Sequence, residues 1–414
     1  MSAFAFRDGE LHAEGVRLSD IAERFGTPCY VYSRAALEHS YREFATAFTG
    51  VAHWICYAVK ANPTLAILNL YARLGSGFDI VSGGELQRVI AAGGDPRKVV
   101  FSGVGKTEAE MESALAAGIH CFNVESPAEL ERLAGVAARA GKIAPVSFRV
   151  NPDVDPKTHP YIATGLKESK FGVAYADALD LYRRAAQLPT VAIRGVDMHL
   201  GSQIADLSPF RDAAQRLREL VEELDREGIA LAHIDLGGGL GVRSQNEAPL
   251  PLTEYAAMIT AVFRGRRETL LFEPGRRLVA EAGVLMTRVE YLKPGPPTNF
   301  AIVDAAMNDF IRPALYDAWH PVDPVRPRDE PPRRWDIVGP VCESGDFLAR
   351  DRQLSLAQGD LLAIGAAGAY GMAMSSNYNA RPRACEVVVQ AMDAHLVRRR
   401  ETLGELFASE TTLP

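Results

Sequence analysis

The stretch Tyr57-Ala58-Val59-Lys60-Ala61-Asn62 places a lysine at the end of a mostly apolar run, residues 51–56. Such a run is typical of a buried strand in a parallel sheet. The ammonium of Lys60 would have to leave water there, which costs several kcal/mol unless the group is paired or neutralised. A neutral lysine amine is the nucleophile that forms Schiff bases. The alternative is an ammonium that reaches solvent beyond the strand, and for this stretch taken alone that arrangement is the more common one.

The chain around this stretch alternates regularly between strands and helices. Apolar runs of strand length end at Val59, Val81, Ser102, Val124, Val150, His199, Leu236 and Glu273. Amphipathic stretches between them predict helices, among them residues 84–92, 108–117, 128–140 and 209–227. Alternating βα units form parallel sheets, and eight units in about 250 residues match the size of a (β/α)8 barrel. A doubly wound open sheet is the alternative, but the first unit lacks the glycine-rich turn of a Rossmann fold.

Unusual residues gather at the predicted carboxyl ends of the strands, the rim where barrels carry their active sites. They follow strands one, two, six, seven and eight, and they are Lys60, Asp79 with the turn 82–85, His199-Leu200-Gly201-Ser202-Gln203, Gly237-Gly238-Gly239-Leu240-Gly241, and Glu273-Pro274-Gly275-Arg276. Chance would scatter such clusters over both rims of a barrel. Their position on one rim therefore predicts a functional site there.

A second domain is predicted from the two ends of the chain. From about residue 277 short alternating runs are separated by Pro, Gly and Asp turns, which is typical of an all-β structure. Examples are residues 284–292, 300–304, 336–341, 361–364 and 386–392. The first 28 residues predict a short strand pair and a helix over 18–25, followed by a strand over 29–32 and a helix from Ser33 to about residue 48. We expect the barrel over residues 30–276 and the second domain over 1–29 plus 277–414.

Composition limits the classes of protein that remain. The 414 residues are 47% hydrophobic and 23% charged, which is ordinary for a two-domain globular protein. A net charge of −7 argues against a nucleic-acid surface. Residues 1–11 carry Arg7, Asp8 and Glu10 without an apolar core, so we expect no signal peptide, and no apolar run reaches membrane-spanning length. The five cysteines are scattered without a CxxC pair or zinc-ligand spacing, so we expect reduced thiols, a cytoplasmic protein and no metal site.

The rim residues meet the needs of pyridoxal phosphate, which are a phosphate site, a Schiff-base lysine and an acidic partner for the ring nitrogen. Glycine N–H groups approach anions closely, although the sequence 237–241 fits no nucleotide fingerprint and is equally compatible with a plain tight turn. Glu273 could face the ring nitrogen, or it could form an ion pair with Arg276. The ring of His199 could stack on the cofactor, or it could be a hydrogen-bonded structural residue.

Six motifs in order along the chain carry a family resemblance. They are Tyr57-Ala58-Val59-Lys60-Ala61-Asn62, His199-Leu200-Gly201-Ser202-Gln203, Gly237-Gly238-Gly239-Leu240-Gly241, Glu273-Pro274-Gly275-Arg276, Cys342-Glu343-Ser344-Gly345-Asp346 and Gly368-Ala369-Tyr370-Gly371. Together they resemble the pyridoxal-phosphate-dependent amino-acid decarboxylases of the alanine-racemase fold. His159-Pro160-Tyr161-Ile162-Ala163-Thr164-Gly165, with Ser169-Lys170-Phe171-Gly172, resembles the diaminopimelate decarboxylase subgroup in particular.

The resemblance implies a role for each matching residue. Lys60, His199 and Cys342 would be catalytic, with Lys60 bound covalently to the cofactor and Cys342 as the proton donor. The cofactor would be held by Lys60, Asp79, His199, Ser202, Gly237, Gly238, Gly239, Glu273, Gly275, Arg276 and Tyr370. The substrate would be held by Arg276, Arg312, Tyr316, Glu343 and Tyr370. Cys342 and Glu343 would reach into the site of a partner subunit, which implies a homodimer with shared active sites.

Plain structural roles are open for three of these residues. Cys342 could be an inert buried thiol, although its polar neighbours Glu343 and Asp346 argue against burial. Arg312 could be a surface arginine, and Tyr370 could be a packing aromatic in a glycine-rich turn. The donor role suits a cysteine because a free thiol stays mostly protonated near neutrality.

The implied reaction is decarboxylation of meso-2,6-diaminopimelate to L-lysine, the last step of lysine biosynthesis. This substrate carries a carboxylate and an amine at its far end, and the forks of Arg276 and Arg312 match a carboxylate with two hydrogen bonds. The rivals are decarboxylases of ornithine, arginine or carboxynorspermidine on the same fold. A racemase would be expected to place an arginine where Glu273 stands, and a non-catalytic regulatory homologue would be expected to lose Lys60 or Cys342.

Overall fold

The computed structural model describes residues 3–155, 170–243, 245 and 248–414. The motif 159–165 and Ser169, which carry part of the family resemblance, lie outside these residues. The chain forms two compact units. One comprises Tyr41–Arg243 and Glu247–Arg277, and the other comprises Met1–Ser40, Ser244–Asn246 and Leu278–Pro414. Within the described ranges, every helix is too short or too polar to cross a membrane.

The N-terminal segment contributes strands and a helix to the second of these units. Its elements are β1 (Phe4–Arg7), β2 (Glu10–Ala13), β3 (Val16–Arg17), α1 (Leu18–Phe25), β4 (Cys29–Ser33) and α2 (Arg34–Ala47). Strands β1, β2 and β3 form a small antiparallel sheet. The predicted helices over 18–25 and from Ser33 are confirmed, the first to the residue.

The other unit is a closed parallel barrel with helices between its strands. The elements are β5 (His53–Ala58), α3 (Leu65–Arg73), β6 (Gly77–Ile80), α4 (Gly83–Ala91), β7 (Val99–Phe101), α5 (Glu108–Ala117), β8 (Cys121–Val124), α6 (Pro127–Arg139), β9 (Ala144–Asn151), β10 (Val173–Ala174), α7 (Tyr175–Ala186), β11 (Val191–Asp197), α8 (Leu207–Arg226), β12 (His233–Asp235), α9 (Leu252–Val262), β13 (Thr269–Phe272) and α10 (Arg276–Val279). The pairings β13–β5 and β8–β9 close the ring, and β10 is a short addition beside β9. The (β/α)8 prediction is therefore confirmed.

Local sequence explains where the barrel helices start and how the barrel is filled. Thr107 and Glu110 form a reciprocal capping box at the start of α5, and Ser82 caps α4 through the N–H of Glu85. A layer of buried side chains fills the barrel, formed by Cys56, Val100, Cys121 and Leu271 with Trp54 packed against it. This layer makes the interior a packed core, so polar chemistry is confined to the strand ends.

Several barrel strands end one or two residues earlier than predicted, because the apolar runs continue beyond the last hydrogen bonds between neighbouring strands. The sixth strand ends at Asp197, two residues before His199, and the eighth ends at Phe272, one before Glu273. A four-residue helix, α10, follows the eighth strand, where the sequence indicated none.

The C-terminal part is built on one mixed sheet. Its elements are β14 (Gly283–Lys293), β15 (Phe300–Val303), α11 (Arg312–Tyr316), β16 (Val322–Pro324), β17 (Arg333–Val338), β18 (Phe347–Leu354), β19 (Leu361–Ile364), β20 (Cys385–Gln390) and β21 (Asp393–Arg398). The strand order is β18-β17-β15-β14-β4-β20-β21, with β19 also on β14 and β16 on β19. The N-terminal strand β4 thus lies at the centre of this sheet, between β14 and β20. The predicted β-rich second domain is confirmed.

Candidate active site

Lys60 lies in a single 3-10 turn, Val59–Ala61, directly after the first barrel strand. Its Nζ forms a hydrogen-bonded ion pair with Oδ2 of Asp79, which lies on β6 beside Ala58 of β5. The carboxylate is fully buried, whereas the lysine side chain keeps 34% of its exposure. Pairing and partial exposure together avoid the cost of desolvating the ammonium. Lys60 therefore stands at the functional rim as an accessible amine with a fixed carboxylate partner.

The glycines after β12 lie against other backbone segments of the same rim. A Cβ on Gly237 would come within 2.4 Å of the Met198 carbonyl oxygen, and one on Gly238 within 2.4 Å of the Glu273 carbonyl oxygen. Gly237 and Gly239 also have positive φ angles of 63° and 109°. Any larger residue would push this loop away from the ends of β11 and β13. The loop is therefore a tight backbone cradle of the kind that binds anions.

His199 accepts a hydrogen bond at Nδ1 from the N–H of Gly238, 3.1 Å away. Desolvation lowers the pKa of this imidazole well below its usual range, and the positive charges of Arg149 and Lys60 lower it further. The ring is therefore neutral, with its proton on Nε2. The hydrogen bond to the glycine loop therefore gives His199 the structural role and fixes a flat, uncharged ring at the rim, while stacking of this ring on a cofactor stays a prediction.

Buried carboxylates crowd the barrel around Glu273. Oxygen atoms of Asp197, Asp235 and Glu273 all lie within 4.8 Å of one another. Burial raises the pKa of Glu273 well above its usual range, and the nearby Asp235, Asp79 and Asp197 raise it further. Burial likewise raises the pKa of Asp235 to about 7. The cluster therefore holds protons at neutral pH unless a cation is placed beside it.

Several members of this cluster were not predicted from the sequence. Asp235 anchors the glycine loop by accepting a hydrogen bond from the N–H of Gly237 at 2.9 Å. Asn123 donates to Glu273 Oε1 at 3.4 Å. The signal was present in the sequence, because Asp197 and Asp235 each lie two residues before a rim residue that was singled out. Side chains two apart on a strand share a face, so both point towards the same interior.

The motif after the eighth strand packs beneath the lysine turn. A Cβ on Gly275 would lie 3.0 Å from the Cβ of Ala61 and 3.1 Å from that of Ala58, so a larger residue would displace the turn that carries Lys60. Arg276 donates from Nε and Nη2 to the hydroxyl of Ser202 at 3.3 and 3.2 Å. The structure thus brings together, within the barrel, all the rim residues that the sequence predicted.

The remaining predicted residues lie in the β-rich unit and form two groups. In the first, the guanidinium carbon of Arg312 lies 5.6 Å from the ring centre of Tyr316 and 6.0 Å from that of Tyr370. Tyr370 has a positive φ of 56°, and the preceding Gly368 would bring a Cβ within 1.9 Å of the Val279 carbonyl oxygen. The tight loop at Tyr370 and the end of α11 at Tyr316 therefore place two phenol rings around one cation.

The second group is the turn 341–346, which presents Cys342 and Glu343 at the surface. Asp346 fixes the turn by accepting hydrogen bonds from the N–H groups of Met307 at 2.6 Å and Val341 at 2.8 Å. The side chain of Asn379 accepts from the N–H of Cys342 at 3.1 Å, and the hydroxyl of Tyr378 donates to Glu343. The burial alternative for Cys342 is wrong, because the hydrogen bonds of Asp346 hold the turn outward.

The barrel residues fit pyridoxal phosphate. The buried atoms Asp79 Oδ1, Asp197 Oδ1 and Asp235 Oδ2 accept no hydrogen bond from any residue that the structure describes. Buried acceptors without a hydrogen bond are energetically unfavourable, and here they lie near Glu273, whose pKa is strongly raised. A positively charged N–H donor such as a pyridinium would satisfy both. The glycine cradle suits a phosphate, and Lys60 offers the amine. Lys60, Glu273, His199 and the loop 237–239 would therefore hold the cofactor.

Comparisons with known proteins show the family of this chain. Residues 34–280 match the family model described as pyridoxal-dependent decarboxylase, pyridoxal binding domain. The chain is 62% identical to the diaminopimelate decarboxylase of Pseudomonas aeruginosa, over the full length of both chains. The crystal structure of diaminopimelate decarboxylase from Helicobacter pylori complexed with L-lysine superposes with a TM-score of 0.92 at 42% identity, covering 95% of this chain and 99% of that one. The corresponding co-complex from M. jannaschii gives a TM-score of 0.95 at 38% identity, covering 99% and 98%. The chain therefore belongs to the diaminopimelate decarboxylase family of pyridoxal-dependent decarboxylases.

Proposed function

We propose that this protein removes one carboxylate of meso-2,6-diaminopimelate as carbon dioxide and releases L-lysine, with pyridoxal phosphate as its cofactor. The observation that carries the proposal is the buried carboxylate cluster centred on Glu273, beside the glycine cradle and within reach of the charge of Lys60. A protonated ring nitrogen opposite Glu273 is what decarboxylation needs. The two related structures that contain L-lysine support the identity of the product.

When bound, pyridoxal phosphate supplies an electron sink for the electron pair left by the departing carboxylate. The chain's residues hold and orient the reacting groups. Lys60 would anchor the cofactor covalently, and Asp79 would keep its amine positioned before and after each turnover. Glu273 would stabilise the positive ring nitrogen, because the surrounding carboxylates favour a cation there. The neutral ring of His199 would cover one face of the cofactor.

The phosphate would be held at the glycine loop 237–239 by the N–H group of Gly239, by the Ser202 hydroxyl and by the charge of Arg276, because the N–H groups of Gly237 and Gly238 already donate to Asp235 and His199. Gly275 would keep this motif close to the lysine turn. Asp235 would support the arrangement, because its hydrogen bond to Gly237 ties the phosphate loop to the carboxylate cluster. One buried network therefore holds both the glycine loop 237–239 and Glu273, the proposed partner of the ring nitrogen.

The substrate's far end would be recognised by charge. Arg276 and Arg312 would bind its carboxylate, with hydroxyl groups from Tyr316 and Tyr370, and Glu343 would accept hydrogen bonds from the amine. The contact between Arg312 and two tyrosine rings supports this role, because the rings hold the guanidinium in a fixed orientation. Ornithine and lysine lack the distal carboxylate and would not make these charge-assisted hydrogen bonds.

Cys342 would deliver its Sγ proton to the α-carbon that loses the carboxylate. Its exposure in the single chain supports a site completed across a homodimer, in which Cys342 and Glu343 of one subunit serve the barrel of its partner. Cysteines that are all unpaired support a cytoplasmic location.

The test is product analysis with purified protein and added pyridoxal phosphate. The protein is incubated separately with meso-diaminopimelate, ornithine, arginine and lysine, and the amines and carbon dioxide formed are quantified. We expect equal amounts of L-lysine and carbon dioxide from meso-diaminopimelate, with kcat/KM at least about 10²-fold above that for any other substrate. A better rate with ornithine or arginine would reassign the substrate, and racemisation without carbon dioxide would reject the reaction class.

A further inference from the structure

The β-rich unit contains two cysteines at directly opposing positions of adjacent parallel strands. Cys29 begins β4 and Cys385 begins β20, and their Cα atoms are register partners. Both side chains belong to the same core cluster, so they point to the same face of the sheet. Neighbouring strands lie about 4.8 Å apart, which falls within the Cα separations that disulfides span. The backbone is therefore already placed for a cross-strand bond.

A guanidinium lies over this pair. Arg400 Nη2 is 3.6 Å from the sulfur of Cys385 and donates a hydrogen bond to the carbonyl of Pro28 at 2.7 Å. The second contact fixes the arginine beside the strand end that carries Cys29. A positive charge held next to a sulfur stabilises its thiolate, which is the reactive form of cysteine.

Arg400 contacts only one sulfur of the pair, that of Cys385. The neighbouring Cys29 thiol lowers the pKa of Cys385 to about 7, while burial opposes this shift and the charge of Arg400 adds to it. Each thiol also donates to a backbone carbonyl oxygen, Cys29 to that of Tyr30 at 3.5 Å and Cys385 to that of Phe25 at 3.7 Å. Because the guanidinium lies at Cys385, this sulfur is the one placed to act as the nucleophile, and Cys29 on the adjacent strand is placed to complete the disulfide.

The barrel offers a natural contrast. Cys56 and Cys121 are also buried and belong to one packed layer. Burial raises the pKa of both thiols, and nearby carboxylates, Asp235 first among them, raise it further. These sulfurs are held as inert thiols, whereas Cys385 is not.

We propose that Cys29 and Cys385 are a redox modification site, a thiol pair that hydrogen peroxide converts to a disulfide joining β4 to β20. The Cys385 thiolate attacks one peroxide oxygen, so that the O–O bond breaks, an S–O bond forms and hydroxide leaves. Cys29 gives its proton to that hydroxide, and its sulfur attacks the sulfur of Cys385. The S–S bond forms as the second oxygen leaves as hydroxide and takes up a proton. Two thiols and one peroxide thus yield one disulfide and two waters.

Peroxide suits the site because of its size. Cys29 and Cys385 are 0% and 2% exposed, so a bulky disulfide reagent would have to open the sheet, whereas a molecule little larger than water would not. The linked residues lie on central strands that are far apart in the chain. The bond would therefore restrict the unfolded state strongly and raise the melting temperature.

Peptide mapping of the holoenzyme tests the proposal without any variant. The protein is treated with hydrogen peroxide, remaining thiols are blocked with N-ethylmaleimide in denaturant, and tryptic peptides are analysed without reduction. The linked species joins residues 25–34 to residues 384–398, and Cys342 lies on the separate peptide 335–350. We expect this linked species in most molecules, with a melting temperature several degrees higher that dithiothreitol reverses.

Variants supply matched controls. Cys29→Ser and Cys385→Ser should each abolish both the linked species and the thermal shift, and Arg400→Gln should slow linkage about tenfold. Cys56→Ser in the barrel should change neither result. The proposal is overturned if Cys29 and Cys385 both remain maleimide-reactive under conditions that oxidise the exposed Cys342, or if either sulfur is linked to a different cysteine.

Discussion

Glu273 and Cys342 would perform complementary parts of one reaction, yet their surroundings are opposite. Glu273 is 5% exposed and lies within a cluster of carboxylates, so its ionisation depends on the groups packed around it. Cys342 is exposed on a turn that Asp346 fixes by hydrogen bonds to backbone N–H groups. In the barrel, one chain supplies the buried carboxylates that set the electrostatic environment of Glu273. The turn fixes only the position of Cys342, which stays exposed to water. A second protein surface would have to cover Cys342 to exclude water from it.

The barrel cluster and the turn also differ in how they affect the stability of the folded protein. The barrel cluster destabilises the empty protein, because buried acids must take up protons or lose hydration. A bound cation such as a pyridinium would relieve that cost, so cofactor binding and stability should be linked in the barrel. Burial also raises the pKa of Asp346 in the turn, but the hydrogen bonds from the N–H groups of Met307 and Val341 oppose this shift, and they should hold with or without ligand. Changes in the barrel are therefore expected to alter cofactor binding, and changes in the turn to alter turnover.

The largest expected effect comes from Lys60. Lys60→Ala should remove the absorbance of covalently bound cofactor and lower turnover by roughly 10³-fold or more, because the anchoring amine is lost. Lys60→Arg is the informative companion, since it keeps a positive charge beside Asp79 without a primary amine, and it should be equally inactive. Lys293→Ala, at an exposed strand end, is the control. Near-normal turnover in Lys60→Arg would show that the amine is not the cofactor anchor.

A subunit-mixing experiment tests whether the exposed turn serves a partner chain. Lys60→Ala and Cys342→Ala proteins should each be nearly inactive, and equal mixing with exchange should restore about a quarter of the wild-type sites, since half of the dimers are mixed and each has one intact site. Differently tagged chains show by mass whether exchange has occurred. Activity that stays at the level of the separate variants, despite proven exchange, would place Cys342 in the site of its own chain.

A smaller effect is expected from the substrate arginine. Arg312→Ala should lower kcat/KM for meso-diaminopimelate by roughly 10²-fold while barely changing the slow rate with lysine, because only the first substrate has a distal carboxylate. Arg312→Lys should recover part of the lost kcat/KM, because lysine restores the positive charge but not the planar guanidinium that binds a carboxylate with two hydrogen bonds. Arg350→Ala is the matched control, because Arg350 also stacks on an aromatic ring, that of Phe347 at 4.0 Å. Unchanged discrimination in Arg312→Ala would remove Arg312 from the substrate site.

The sequence was sufficient for the features that follow periodicity and motif. Apolar runs placed the ends of the eight barrel strands to within two residues, and amphipathic stretches placed four of the barrel helices equally well. The Lys60, glycine and Glu273 motifs predicted one rim. The carboxylate cluster could be predicted only in part. The two-residue spacing before His199 and Gly237 indicates which way Asp197 and Asp235 face, but their closeness to Glu273 depends on the closed barrel, which brings these carboxylates together from three strands. The outward position of Cys342 likewise depends on Asn379 and Met307, which are distant in sequence.

The smallest effect expected is a change in how stability depends on pH. Burial raises the pKa of Asp235 from its usual 3.8 to about 7, so the folded state holds a proton that the unfolded state has released. The contribution of Asp235 to the free energy of unfolding is therefore most favourable below about pH 4, where this side chain is protonated in both states. That contribution is lost as pH rises through about 7. Asp235→Asn keeps an acceptor for Gly237 but removes the charge. In cofactor-free protein at pH 8 it should raise the melting temperature by about 2–4 °C, with no difference at pH 4.

Asp309 in the β-rich unit provides the comparison that makes this prediction specific. Burial also raises its pKa to about 7, and its carboxylate accepts a hydrogen bond from the N–H of Ala306. Asp309→Asn should therefore give a similar pH-dependent gain in cofactor-free protein. Adding pyridoxal phosphate should shrink the gain of Asp235→Asn, because the ring nitrogen then offsets the barrel charge, and should leave the gain of Asp309→Asn unchanged. Equal gains with and without cofactor in both variants would mean that the barrel carboxylates do not sense the cofactor ring.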